Sequence, residues 1–145
     1  FELRNLGEIN VIPFQFFQLM SNLIGNALKF SNGGTPPHVI ISSEIANGDL
    51  LQKGDPEGKL VGNRMYHHIT VSDNGIGFEP QYNEKIFEVF QRLHDRDEYP
   101  GTGIGLAIVK KIVENHDGFI TATGELNKGA TFDIFIPVSE GQNTK

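Results

Sequence analysis

The sequence has no cysteine. That single absence removes a disulfide framework, a thiolate metal site and a cysteine nucleophile. G-K-[ST] occurs nowhere, which excludes a P-loop, and Leu106 stands where a dinucleotide fingerprint would need its third glycine. Gly-x-Ser-x-Gly is also missing, and Ser21, Ser31, Ser42, Ser43, Ser72 and Ser139 lack a triad setting, so nucleophilic hydrolysis has little support. Positive charge is scarce: 12 Lys and Arg face 18 Asp and Glu, and a net charge of −6 is a poor match for a nucleic-acid backbone. No apolar run approaches the length of a membrane span, and no charged segment followed by an apolar one opens the chain as a signal peptide would. Repeats and low-complexity tracts are missing as well. The chain begins with Phe1 and not Met, which leads us to expect a piece cut from something longer.

What is present suits one domain. A chain of 145 residues, 38% hydrophobic, can bury a core without staples. We expect that domain over residues 1–138 and a frayed tail over 139–145. The densest signal is PGTGIGLAIVKKIVENHDG, Pro100 to Gly118. Gly101, Gly103 and Gly105 alternate ahead of a helical stripe of Leu106, Val109 and Val113, widened by Ile108 and Ile112, with Gly118 placed to stop the helix at C′. A glycine-rich loop feeding a helix N-terminus suits a polyphosphate, and equally it suits tight packing.

Upstream, Glu8 to Ile12 alternates like a strand, and Pro13 fits the first turn of a helix. From Phe14 to Phe30 the apolar residues Phe16, Met20, Leu23, Ala27 and Phe30 form a core stripe, while Gln18, Asn22, Asn26 and Lys29 line up on another face. That polar line is either a solvated face or a set of amide oxygens ending in a cation, suited to Mg²⁺ with a phosphate. Val39 to Ile45 and Tyr66 to Ser72 read as paired strands across a long polar loop. The second strand runs into Asp73-Asn74-Gly75-Ile76-Gly77-Phe78, either an ordinary turn or an acid facing a pocket with glycines that admit a flat ring. Glu79 to Tyr99 reads as a polar lid latched by Ile86, Phe87, Val89 and Phe90. Phe119 to Thr123 and Ala130 to Ile136 read as a closing hairpin. The five histidines, among them adjacent His67 and His68 and helix-end His116, read as structural or surface residues.

In this order the pieces resemble the ATP-binding catalytic domain of sensor histidine kinases, within the wider family shared with gyrase, Hsp90 and MutL. NLIGNALKFS at Asn22 to Ser31 resembles the family's asparagine box, DNGIGF at Asp73 to Phe78 its first glycine box, and KIFEVFQR at Lys85 to Arg92 its phenylalanine box. The stretch Gly101 to Gly118 resembles the second glycine box, and GATF at Gly129 to Phe132 the closing motif. The resemblance implies an α+β Bergerat-type fold: a two-layer α/β sandwich with a mixed, mostly antiparallel sheet, helices on one face, and ATP held under a lid on the other side of those helices. It implies Asn26 as the Mg²⁺ ligand, Asn22 beside it and Lys29 near the phosphates. Asp73 would accept from the adenine amine, Gly75 and Gly77 would line the base, and Thr131 would support it through water. Gly101, Thr102, Gly103, Ile104, Gly105 and Leu106 would hold the phosphates, with Arg92 a contact from the lid.

Hydrolysing members carry a glutamate four residues before the magnesium asparagine, and this chain has Asn22 there. An amide is not a useful general base, so the resemblance implies transfer to a protein and not to water. The implied acceptor is a histidine on a separate dimerisation domain of a homodimeric parent, itself a phosphoprotein passing phosphate to a response regulator. The domain would be cytoplasmic, in a parent that is either membrane-anchored or not. The family's further strand and helix at the start, and the helical acceptor motif, have no counterpart here, so the domain reads as trimmed and inactive alone.

Overall fold

The computed structural model describes residues 2–4, 11–29, 36–48, 64–83, 85–87 and 105–138. Five strands form one sheet: β1 (Glu2–Arg4), β2 (Val39–Asn47), β3 (Met65–Asp73), β4 (Phe119–Glu125) and β5 (Gly129–Pro137). Their spatial order is β1-β2-β3-β5-β4. Among the described strands only β1 and β2 run parallel and the other neighbours are antiparallel, so the sheet is mixed and mostly antiparallel as the resemblance implies. The strand β1 also corrects the expectation that an opening strand is missing, three residues being too short to leave a pattern in the sequence.

Two helices, α1 (Pro13–Lys29) and α2 (Gly105–Asn115), cover one face. The period-2 alternation of the strands decides what that face carries. Val39 and Ile41, Ile69 and Val71, Ile120 and Ala122, and Phe132, Ile134 and Ile136 all point into one core with Leu19, Leu23 and Ala27 of α1 and Val109, Ile112 and Val113 of α2. Of the stripes expected from spacing, Leu23, Ala27, Val109, Ile112 and Val113 are buried, while Phe16, Met20, Leu106 and Ile108 pack half-buried against them. Leu19 joins the core unforeseen, and Phe30 lies outside the described residues. A strand over Glu8 to Ile12 is not formed at Val11 and Ile12, and the rest of that stretch lies outside the described residues. Instead Ile12 is the residue at which α1 begins, its carbonyl accepting from the Phe16 N–H at 2.9 Å.

The end of α2 corrects one expectation. Gly118 is not the left-handed C′ residue; Asp117 is, at φ 60°. The Asp117 N–H donates to the Glu114 carbonyl and the Gly118 N–H to the Val113 carbonyl, each at 3.0 Å, which is the paired closure of a Schellman motif. Gly118 is needed for a different reason: a Cβ there would lie 2.1 Å from the Phe135 carbonyl oxygen of β5.

The opposite sheet face is polar toward one end and aromatic toward the other. Phe119, Phe135 and His68 stack in succession with centroids 4.7 and 4.6 Å apart. His68 Nε2 sits 2.7 Å from Asp133 Oδ1, a pairing across strands that sequence spacing does not reveal. His67, one residue away, is buried on the helix side. Among the described residues no group of three or more His, Asp or Glu is arranged to hold a metal.

Candidate functional site

The strongest convergence lies where β3 ends against the β4–β5 hairpin. Asp73, the last residue of β3, is opposite Ala130 in the β3–β5 register. Its Oδ1 accepts from the Gly75 N–H at 2.9 Å and from the Ala130 N–H at 3.3 Å. Burial raises the Asp73 pKa above its usual 3.8, and these two backbone donors pull it back in part. Both bonds fall on the same oxygen, so the carboxylate is aimed while its chemistry toward a ligand amine is kept.

The glycines around it are set by chain crossing. Gly77 takes φ 62°, and a Cβ on it would lie 2.2 Å from the Glu125 carbonyl oxygen. Gly129, at φ 129°, passes the Asp73 backbone so closely that a Cβ would lie 2.0 Å from its carbonyl oxygen. Gly124 would drive a Cβ into the Phe78 ring. The Asn127 N–H donates to the Ile76 carbonyl at 2.7 Å, and Asn127 itself is left-handed at φ 64°. The glycine box and the hairpin turn are thus interlocked backbone to backbone. Asn74 ties the same corner to the start of β2: its Oδ1 accepts from the His38 N–H at 2.8 Å and its Nδ2 donates to the Pro36 carbonyl at 3.1 Å.

A cavity of about 180 Å³ opens here, lined by Asp73, Thr123, Gly124, Glu125, Lys128, Gly129, Ala130 and Thr131. Drug-sized ligands fill about 300–1,000 Å³, so this volume is room for a flat ring and not for a whole nucleotide. Thr131 lines the cavity but is on the other strand face from Asp73. Its hydroxyl is 3.1 Å from the Ser72 hydroxyl, and Ala130 is the residue that flanks the carboxylate. Sequence reading missed Ala130, whose contribution is a backbone N–H and leaves no side-chain signal.

On α1, Asn22 and Asn26 are half-buried, one turn apart on the flank between the core stripe and solvent. Gln18 shares that flank and is half-buried too. Gly105 and Leu106 form the start of α2, where the first N–H groups of a helix lack partners of their own. Gly101, Thr102, Gly103, Ile104, Arg92, Val89 and Phe90, and the side chain of Lys29, lie outside the described residues. The base of the expected lid is described: Ile86 and Phe87 are buried, Phe87 meets Phe132 edge to face at 6.2 Å, and Asn83 Oδ1 accepts from the Gly124 N–H at 3.2 Å.

Comparison with known proteins agrees with this arrangement. The family described as "Histidine kinase-, DNA gyrase B-, and HSP90-like ATPase" matches residues 12–140. Cyanobacterial phytochrome A of Nostoc sp. is 44% identical over 124 residues, which cover 86% of this chain and 14% of that protein. Sensor histidine kinase RppB of Synechocystis sp. is 35% identical over 126 residues, covering 86% of this chain and 24% of that protein. The chain therefore spans a minor part of the relatives it matches. The structure of full-length ShkA in complex with AMPPNP superposes with a TM-score of 0.68 at 25% identity, over 95% of this chain and 26% of that one. With most of its length inside the family match, and with RppB named a sensor histidine kinase, the chain belongs to the histidine kinase-, DNA gyrase B- and HSP90-like ATPase family, on its sensor histidine kinase side.

Proposed function

We propose that the domain binds Mg-ATP and presents its γ-phosphate to a histidine on a separate helical domain, within two-component signalling. The observation that carries this reading is the half-buried Asp73 carboxylate, fixed by two backbone donors at the wall of a ring-sized cavity. Adenine offers an amine at the position where guanine has a carbonyl, so the carboxylate accepts from one and repels the other. The half-buried amides of Asn22 and Asn26 fit a hard cation that takes few protein ligands and keeps several waters. Asn26 would supply an oxygen to Mg²⁺, which when bound offsets phosphate charge, and Lys29 would stand near the phosphates. The stretch Gly101 to Leu106 would cradle those phosphates, and Arg92 would reach them from the lid. Asn22 is no general base, so water has no activating partner at that position and the incoming nucleophile comes from the acceptor. Positioning and charge stabilisation then carry the transfer. The parent would act as a homodimer, with a response regulator downstream.

The test is incubation with labelled ATP, with and without a helical acceptor domain. Label confined to the acceptor, lost in acid and kept in base, is expected. Rapid phosphate release by the chain alone would point to an ATPase, acid-stable label on serine to a serine kinase, and binding without transfer to an interaction module. GTP binding as tight as ATP binding would sink the role of Asp73.

A further inference from the structure

The two helices that bear the proposed site pack side by side in the core and are cross-linked at one end only by the polar contacts described. Asn115 Nδ2, on the last residue of α2, donates to Gln15 Oε1 near the start of α1 at 3.4 Å. Beside it, the Ile12 N–H donates to His116 Nε2 at 2.9 Å, and His116 Nδ1 lies 2.8 Å from the Ile112 carbonyl oxygen. A backbone N–H can only donate and a carbonyl can only accept. Nε2 therefore takes the acceptor role and Nδ1 the donor role in these two contacts.

The geometry relates this end to the other. From Gln15, ten residues along α1 reach Gly25, next to Asn26; from Asn115, ten residues back along α2 reach Gly105. At about 1.5 Å per residue both spans are about 15 Å, so Gly25 and Gly105 lie equally far along their helices from the cross-link. Ile12 has no side-chain oxygen to cap α1, so its position relies on this backbone tether.

We propose that His116 is a positioning residue: a two-ended connector that holds α1 and α2 in register and so keeps Asn26 level with Gly105, the first residue of α2. The inference rests on the nucleotide reading above. It is tested by Mg-dependent binding of a fluorescent ATP analogue, with melting temperature measured alongside, for the parent, His116→Gln, His116→Lys and Ile12→Pro. Glutamine offers one donor and one acceptor and is expected to keep affinity within about threefold. Lysine offers donors alone and is expected to lose about tenfold, although a cation at the end of α2 suits the helix dipole and holds the melting temperature. Proline at position 12 removes the opposing N–H and is expected to lose as much, with the double variant Ile12→Pro, His116→Lys no worse than either alone. Parent-like binding by His116→Lys, or losses that add in the double variant, would overturn the connector. Failure of the parent to bind would overturn the nucleotide reading and the connector with it.

Discussion

Asp73 ionises in a setting that resists it. Burial raises its pKa above 3.8, so the folded state holds the proton more tightly than the unfolded chain does. Its contribution to stability is therefore complete below about 3.8 and is lost as pH rises through the raised folded value. Asp73→Asn keeps an oxygen for the Gly75 and Ala130 N–H groups and loses the charge. We expect it to melt above the parent at pH 7, with the gap closing toward pH 3, while ATP affinity falls. A pH-independent gap in melting temperature would show that charge is not the cause. The asparagines divide differently: Asn26→Ala is expected to weaken the magnesium dependence of ATP binding more than Asn22→Ala, by about tenfold in a magnesium titration. Equal titrations for parent and Asn26→Ala would leave the asparagine face merely solvated. Asp73 was legible as an acid at a strand end; its backbone partner Ala130 was not, because an N–H is common to every residue but proline.

At the scale of elements, periodicity carried most of the fold. The stripe Phe16, Met20, Leu23, Ala27 identifies the inner face of α1, and alternation identifies β2, β3, β4 and β5, because burial on one face leaves a period that the sequence displays. The reasons for individual glycines were less visible. Gly77 is required by backbone at Glu125 and Gly129, 48 and 52 positions away, and Gly118 by backbone at Phe135, 17 positions away, and no local pattern encodes such an approach. Two substitutions separate the cases. Gly25 lies in the exposed interior of α1 with open space around it, so Gly25→Ala should stabilise by about 0.5–1 kcal/mol, roughly 3 °C in melting temperature. Gly77→Ala meets both positive φ and a carbonyl, and should cost about 1–3 kcal/mol or more. Thermal melts of the two variants check both signs.

Among the described residues, the start of α1 carries an apolar surface on a chain whose net charge is −6. Phe14 and Phe17 at the start of α1 are 76% and 72% exposed, beside Ile12 at 47%. Since neither ring is in the core, Phe14→Ser with Phe17→Ser should change stability by no more than about 0.5 kcal/mol. Concentration-dependent light scattering should fall in the same variant; a melting temperature lowered by many degrees would mean that the rings are structural. Sequence spacing put Phe16 in the core stripe and left Phe14 and Phe17 off it, and Phe16 does pack against the core.

The strand order has a consequence for how the molecule is made. β5 is the last strand in sequence yet lies between β3 and β4, and its first residues close the corner around Asp73. A ribosome releasing the chain from its N-terminus can have both helices and four strands in solution and still have no sheet that joins β4 to β3. Nucleotide competence would then be gained in one step, when Gly129 to Pro137 emerges. Nascent chains stalled before Gly129 is free should not retain an ATP analogue, and chains stalled well beyond Pro137 should.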